Sequence, residues 1–471
     1  MTNLPQIIFI FQLIISLLTA VQSPVISYEI KQQALDLSYQ AVELVKENIS
    51  PQELSLGGIG TLSTQYGSFT TNTATGTQAI TGVGFQPKVV LFYSNIKGTS
   101  DGTATYATIT YGVGISSTSR FYISSNSSDN VATSDTLSRH DNTKCLGLGS
   151  VDGTVFIAAD FVSQDADGFT INITTANVTT RVINYIALGG TDLTNVAIKE
   201  FDSATTTINQ SVTGVGFQPD AEMFFTTGDN NAAPSNITLA RTHIGFAISS
   251  TQRGAMSYTA QDAVNPSNVS RYQRTDKAIA LTSYGEVLVH EADFVSQDAD
   301  GFTINWTSAN TAARKYYALC LKGGQYKVGA FNQATATGNQ SITGVGFQGS
   351  ALLLASFNAA ATTSSIATMS NSFGAATAST TRGGIWGGDV DAVSPTQTDR
   401  DVDRTKVIKT FTAGTPTLTT AADFVSFDAD GFTINNTTAD ATSREILYFV
   451  IGVAVGDGAV APPTPQIIFI E

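Results

Sequence analysis

Charge is scarce in this chain. Asp, Glu, Lys and Arg make up 13% of its 471 residues, about half the usual share. Ser, Thr, Asn, Gln and Gly do the solubilising instead, a composition common outside the cytoplasm. The positive sign is the scarcer, with 24 Lys and Arg against 38 Asp and Glu for a net −14. Such a surface repels phosphate backbones, so nucleic acid is not an expected partner. The patterns GxxxxGK[ST] and HExxH do not occur, and the chemistries they serve lack their device. No enzymatic function is expected. There are only two cysteines and three histidines, too few for a disulfide framework or a zinc site.

Repetition is abundant. "TGVGFQ" begins at Thr81, Thr213 and Thr343, and "ADFVS" at Ala159, Ala292 and Ala422. Both landmarks recur about every 130 residues, a spacing that suits a complete domain and not a solenoid turn. The copies fall at 60–192, 193–325 and 326–457. Their linkers are very short, which predicts three domains stacked as a stiff rod. Cys145 aligns with Ala278 and Val407, and Cys320 with Ala187 and Val450, so both cysteines read as core fillers. None of His140, His243 and His290 recurs at one place in all copies.

Inside each copy the hydrophobic period is two. "FTINI" at 169–173 sets Phe169, Ile171 and Ile173 on one face and Thr170 and Asn172 on the other. "KVVLFYS" at 88–94 and "RVINYIAL" at 181–188 are further strands, punctuated by Gly, Asn, Asp and Ser. The predicted class is all-β: three tandem antiparallel β-sandwich domains, preceded by a short hydrophobic segment and a helix.

The termini carry separate signals. Residues 4–21 are mostly apolar, but no Lys or Arg comes before Lys31, which weakens a secretory-signal reading. Pro5, Gln6 and Gln12 interrupt the run as a membrane span. Residues 1–27 therefore read as an anchor or docking segment. "PQIIFI" at 5–10 returns at 465–470, and Ile-Ile-Phe-Ile has strong strand propensity. Ile7, Ile8, Phe9 and Ile10, with Ile467, Ile468, Phe469 and Ile470, are expected to be docking strands that add to another subunit. The alternative is a remnant of duplication. Residues 458–471 form the second docking tail. In 28–59, Ile30, Leu37 and Leu44 recur every seven residues beside Ala34 and Ala41, predicting an amphipathic helix and linker. It reads equally as a coiled-coil stalk or as a helix packed on the first domain.

The order "TGVGFQPKVVLF", then "SSTSR" near Arg120, then "DADGFT" and a closing "IALGG" resembles the repeated domains of tailed-phage virion proteins, both fibres and head decorations. It covers most of 60–457. The late part of each copy also resembles the H-type lectin pattern, which implies a β-sandwich that oligomerises, often as trimers, and binds sugars near subunit borders. The third copy departs from it, with "GFQGS" at 346–350 and "VIGVAVG" at 450–456. Fold alone does not give function, and no sugar-binding residue is carried over.

Four features are candidates for chemistry. In "DFVSQDADGFTIN" the pairs Asp165 and Asp167, Asp298 and Asp300, and Asp428 and Asp430 fit either a turn or a calcium loop. The turn is favoured, because no Glu follows at a distance that completes a calcium shell. Calcium is the one cofactor this pattern admits. The clusters "SRHDNTK" at 138–144, "RYQRTDK" at 271–277 and "DRDVDRTK" at 399–406 read as salt-bridged loops, since His140 has no counterpart. Arg181, Arg314 and Arg444 recur before the closing strand and are expected to pair with the acidic turn or a neighbouring domain, or to contact a ligand. Trp386, set among glycines, fits an exposed loop and is a better candidate ligand contact than Trp306, with a packed loop residue as the default reading. Sequons at Asn48, Asn126, Asn172, Asn177, Asn236, Asn268 and Asn305 read mainly as a by-product of Asn/Thr-rich strands.

These signals point to a non-enzymatic virion surface protein, a decoration or fibre, that stabilises a shell or attaches to a host. Its expected partners are copies of itself, with a trimer as the first guess, other virion proteins and cell-surface glycans. The alternatives are a secreted or cell-surface glycan-binding adhesin and an extracellular filament subunit joined by donated strands.

Overall fold

The structure, a computed structural model, describes residues 61–453 apart from residue 97 and residues 361–363. The segment 1–27, the helix and linker of 28–59, the tail 458–471 and both copies of "PQIIFI" lie outside the described residues.

The first repeat contains β1 (Ser63–Thr70), β2 (Gly76–Thr81), β3 (Pro87–Ser94), β4 (Gly102–Thr105), β5 (Ala107–Gly114) and β6 (Arg120–Ser127). It continues through β7 (Thr136–Asp141), β8 (Leu146–Gly149), β9 (Val155–Asp165), β10 (Gly168–Thr175) and β11 (Val182–Gly189). The second repeat runs through the same eleven strands from Asn195–Asp202 to Lys315–Lys322, and the third from Gln325–Asn332 to Glu445–Gly452. Among the described residues no helix occurs. Among the described residues all pairings are antiparallel, and the strands form six sheets in an all-β arrangement.

In the first repeat, β1-β11-β3-β5-β6-β7 lie in one sheet and β2-β10-β9-β8 in a second, four-stranded sheet. Alternation along the strands aims one face of each sheet at the other. Val90 and Phe92 of β3, Ile183 and Ala187 of β11, and Phe169, Ile171 and Ile173 of β10 share one buried cluster. The second and third repeats close equivalent cores around Phe224 and Phe302, and around Leu354 and Phe432.

The large sheet has a seventh strand, and it comes from the next repeat. Ser235–Ile237 of the second repeat pairs with β7, setting Asn236 opposite Arg139. Ile366–Ala367 of the third repeat pairs with Val269–Arg274 of the second, and β4 of the first pairs with Thr398–Asp403 of the third. The donation runs from second to first, third to second and first to third, and so closes on itself. The rod inferred from short linkers does not form.

The reason lies in β3. Val90 and Phe92 face the sandwich core, but Val89, Leu91 and Tyr93 on the opposite face are as apolar and as buried. A sheet apolar on both faces needs a second cover, as parallel sheets do. Here the large sheets of the other repeats supply it. Met223 and Phe225 of the second repeat and Leu353 and Ala355 of the third join one central cluster with them. Val89, Leu91, Met223, Leu319, Leu353 and Ile451 line a small apolar void where the three meet.

The three contacts are not alike. Phe121 stacks on Tyr317, with ring centroids 4.5 Å apart, and tilts against Phe225 at 5.4 Å. The residues in the place of Phe121 are Gly254 and Gly383. A Cβ on Gly254 would lie 2.9 Å from Leu447, and one on Gly383 would collide with the Tyr66 hydroxyl. Tyr66 in turn donates to Asn184 Oδ1 at 2.8 Å, and Asn184 takes the place of Tyr317. Large faces small differently at each border, so each repeat fits its own neighbours.

The loops after the sixth strand of each repeat clasp one another in the same cyclic sense. The N–H groups of Ala263, Ala392 and Asn130 donate at 2.8 Å to the carbonyls of Ser134, Ser267 and Thr396 of a neighbouring repeat. Asp129, Asp262 and Asp391 accept the N–H groups of Thr398, Thr136 and Val269 at 2.8, 2.8 and 2.7 Å. Asn130, Ala263 and Ala392 all hold φ of 56°, a left-handed strain of about 1 kcal/mol each for such residues. The cross-repeat bonds of the clasp offset it.

Phe121→Ala removes the stacked ring from a buried border and is expected to cost about 3–5 kcal/mol. Because the central cluster is shared, the loss should appear in denaturant titration as one earlier transition of the whole body. A separate early transition of a single repeat would count against a common core.

Candidate functional site

The phrase "DFVSQDADGFTIN" spans the end of β9, a turn and β10, and each of its carboxylates has a protein partner. Asp160 receives two cations, Lys144 Nζ at 2.8 Å and Arg120 Nη2 at 3.2 Å. Arg253 and Lys277 meet Asp293, and Arg382 and Lys406 meet Asp423, in the same way. Asp165 accepts the hydroxyls of Ser163 and Thr170, both at 2.7 Å, tying the turn to its two strands. Asp298 and Asp428 repeat this.

Asp167 accepts the N–H groups of Gly82 at 3.0 Å and Gly84 at 2.6 Å. Asp300 does the same with Gly214 and Gly216, and Asp430 with Gly344 and Gly346. Gly84 has φ of 87°, so "TGVG" forms a backbone nest that receives a carboxylate. The N–H groups of Gly216 and Gly214 hold the Asp300 carboxyl below its ordinary range. "TGVGFQ" and "DADG" therefore recur together because one binds the other. Among the described residues no three His, Cys, Asp or Glu side chains gather in metal-binding geometry.

Trp386 is not in an exposed loop. It lies in the strand Thr381–Asp389, fully buried, and its indole N–H donates to Ser370 Oγ at 2.9 Å. Its ring lies 4.8 Å from that of Phe411. The surrounding glycines make room for it: a Cβ on Gly388 would sit 2.5 Å from the indole. A glycine cluster beside Trp here means a packed ring and not an open loop. Trp306 is buried too, with its N–H on Gln210 Oε1 at 2.6 Å.

The recurring arginines do not reach the acidic turn. Arg444 pairs with Asp440 at 2.6 Å. Arg181 lies 5.8 Å from the centroid of the Phe156 ring, and its buried Nε finds no partner. Arg314 Nε is also buried and unpartnered. Two of these arginines act by charge on a neighbouring repeat, in each case on another arginine. Burial and then Arg181 push Arg400 down to about 10, and burial and then Arg444 do the same to Arg271.

His140 proves to be a border residue. Its Nε2 lies 3.2 Å from Asp229 of the second repeat, its Nδ1 lies 2.9 Å from the Tyr317 hydroxyl, and all are buried. Burial alone would raise the Asp229 carboxyl. Hydrogen bonds from His140, Ser235 and the Asn231 N–H outweigh it and hold the group at about 2. The other elements of the cluster also sort into structural roles. Cys145 and Cys320 are free and buried, and Asn126 is too deeply buried for its sequon to accept a glycan in the folded protein.

Sequence reasoning missed the clasp and the exchanged strands. A signal was present: Asp-x-Val followed three residues on by Ser or Thr occurs at 129–134, 262–267 and 391–396. A scan against protein-family models and a search of curated proteins return no match for the chain.

Neither calcium nor EDTA is expected to move the melting temperature, because Asp165, Asp167 and their equivalents are already bound by hydroxyls and N–H groups; a calcium-dependent rise would overturn this assignment. Asp229 predicts an acid limit. A carboxyl held below its unfolded value near 4 stabilises fully above that pH and stops as pH falls through about 2. Asp229→Asn should remove on the order of 2 kcal/mol at pH 6 and progressively less between pH 4 and 2, as read by denaturant titration across pH.

Proposed function

We propose that the chain is a non-enzymatic structural protein of a virion surface, a decoration or fibre component of the tailed-phage kind. The observation that carries this reading is the cyclic exchange of strands. It joins three lectin-like repeats into one body with a threefold plan, without a second chain. Such a body presents three similar outer faces and resists being pulled apart, which suits shell stabilisation or host attachment. The recurring polar motifs support the same role, since each is spent on holding a turn or a border.

The trimer first expected between chains has an internal counterpart in the three repeats. We assign further self-assembly, and docking to other virion proteins, to the two "PQIIFI" segments. The filament alternative is less well supported, because each exchanged strand already completes a sheet within the ring. The adhesin alternative rests on the lectin-like pattern, and Trp386, its first aromatic contact, is buried.

Antibodies raised against residues 61–453 should decorate the surface of virus particles in the source culture, and the protein should band with those particles in a density gradient. Finding it only in the soluble or cell-wall fraction would refute the virion reading. A glycan array showing saturable binding would move the assignment to an adhesin.

A further inference from the structure

The second repeat departs from its siblings in a cluster of polar residues, and the other two serve as controls. On the strand Leu239–Ala247, His243 pairs with Thr226. The same register positions in the other repeats hold Thr110 and Ser372. Two residues earlier, Arg241 stands where Thr108 and Ser370 stand. His290, opposite Leu281, replaces Ile157 and Thr420. Tyr316, opposite Phe201, replaces Ile183 and Ile446. The fold needs none of these polar groups, since two repeats form without them.

They come together at one end of the sandwich. Arg241 and His243 are on the same face of their strand, and Arg314 lies just before the strand Lys315–Lys322, two residues ahead of Tyr316. The His290 and Tyr316 rings are 6.1 Å apart, and those of His243 and Tyr316 6.2 Å. The Tyr316 hydroxyl lies 3.1 Å from His290 Nδ1, so donation there leaves Nε2 carrying the proton. Arg241 is 4% exposed and His290 fully buried.

The cluster is short of acceptors. Arg241 Nη1, Arg314 Nε and His290 Nε2 are buried without a hydrogen-bond partner, and neither arginine makes an ion pair among the described residues. This occurs in a chain with an excess of carboxylates. Asp229, the nearby acid, is turned to His140 and to the N–H groups of Asn230 and Asn231. Unpaired buried charge costs several kcal/mol unless something neutralises it.

The backbone has also been adapted to hold the Arg241 guanidinium. Where the chain leaves Thr226 it holds φ of 69° at Gly228, and the equivalent Ile96 and Asn358 hold 63° and 53°. The backbone therefore does not require glycine. A Cβ on Gly228 would lie 2.4 Å from Arg241 Nη1, so glycine admits the guanidinium, which takes the place that side chains fill in the other repeats. The two arginines also act on each other. Burial and then Arg314 lower Arg241 to about 10, and burial with both arginines keeps His290 neutral, at about 3.

We propose that the second repeat binds a small oxyanion, a phosphate, a sulfate or a ligand carboxylate, between the Arg241 and Arg314 guanidiniums, with the His290 Nε2–H donating to it. The first and third repeats keep the unpartnered Nε at Arg181 and Arg444 but lack the counterparts of Arg241 and His290.

The test uses the full chain at constant ionic strength, with millimolar phosphate, sulfate or acetate compared with chloride. Melting temperature and binding heat are both measured. Phosphate, sulfate or acetate is expected to raise the melting temperature by about 2 °C or more and to give saturable heat. Response to phosphate and sulfate identifies a tetrahedral ion, and response to acetate alone a ligand carboxylate. Arg241→Thr and, separately, His290→Ile import first-repeat residues. Each should weaken the response at least tenfold, while Arg241→Thr melts higher than the native protein in chloride. Equal melting and no heat in all four salts would overturn the proposal. So would an anion response undiminished in both variants, since general salting effects act on every surface.

Discussion

The constraint on which the rest depends is that the large sheet of each repeat is apolar on both faces. One face closes a sandwich with the four-stranded sheet, and the other has no cover within its own repeat. Val89, Leu91 and Tyr93 are spoken for by the other two repeats, as are Met223, Phe225 and Leu353. Given that requirement, three repeats around a shared core are a natural solution. Strand exchange and the loop clasp then fix how they meet, and the edge strands that would otherwise stand open are paired.

Within that frame the polar residues divide cleanly. Asp160, Lys144 and Arg120 neutralise one another, Asp165 ties a turn, and Asp167 fills the glycine nest. None of these needs a ligand. The second repeat breaks the pattern at Arg241, His243, His290 and Tyr316, where positive and polar groups gather without acceptors. A chain built from copies makes such a departure visible, because the same backbone exists twice without it.

Much of the fold was legible in the sequence. The 130-residue period, the alternation in "FTINI" and the turn character of "DADG" all follow from local chemistry. The rod was the wrong inference because linker length says how repeats are joined and not what their faces need. The needed signal was in "KVVLFYS", whose two faces are equally apolar. Trp386 was misread for a related reason: glycine beside tryptophan marks an exposed loop or a tight fit, and only packing decides between them. The surroundings of Arg181 and Arg444 were beyond reach, because which residues come close across a repeat border depends on the ring. The terminal "PQIIFI" segments rest on sequence alone.

The closing of the ring has a consequence in time. The strand that completes the third repeat's sheet is β4, about 300 residues upstream of Val402, with which it pairs. During synthesis the first repeat emerges with one face of its large sheet uncovered and its donor strand idle. Both wait until the last repeat has left the ribosome. Such long-range pairing folds slowly and exposes apolar surface meanwhile. The finished body then gains what a true trimer lacks, because its three parts remain at fixed local concentration at any dilution.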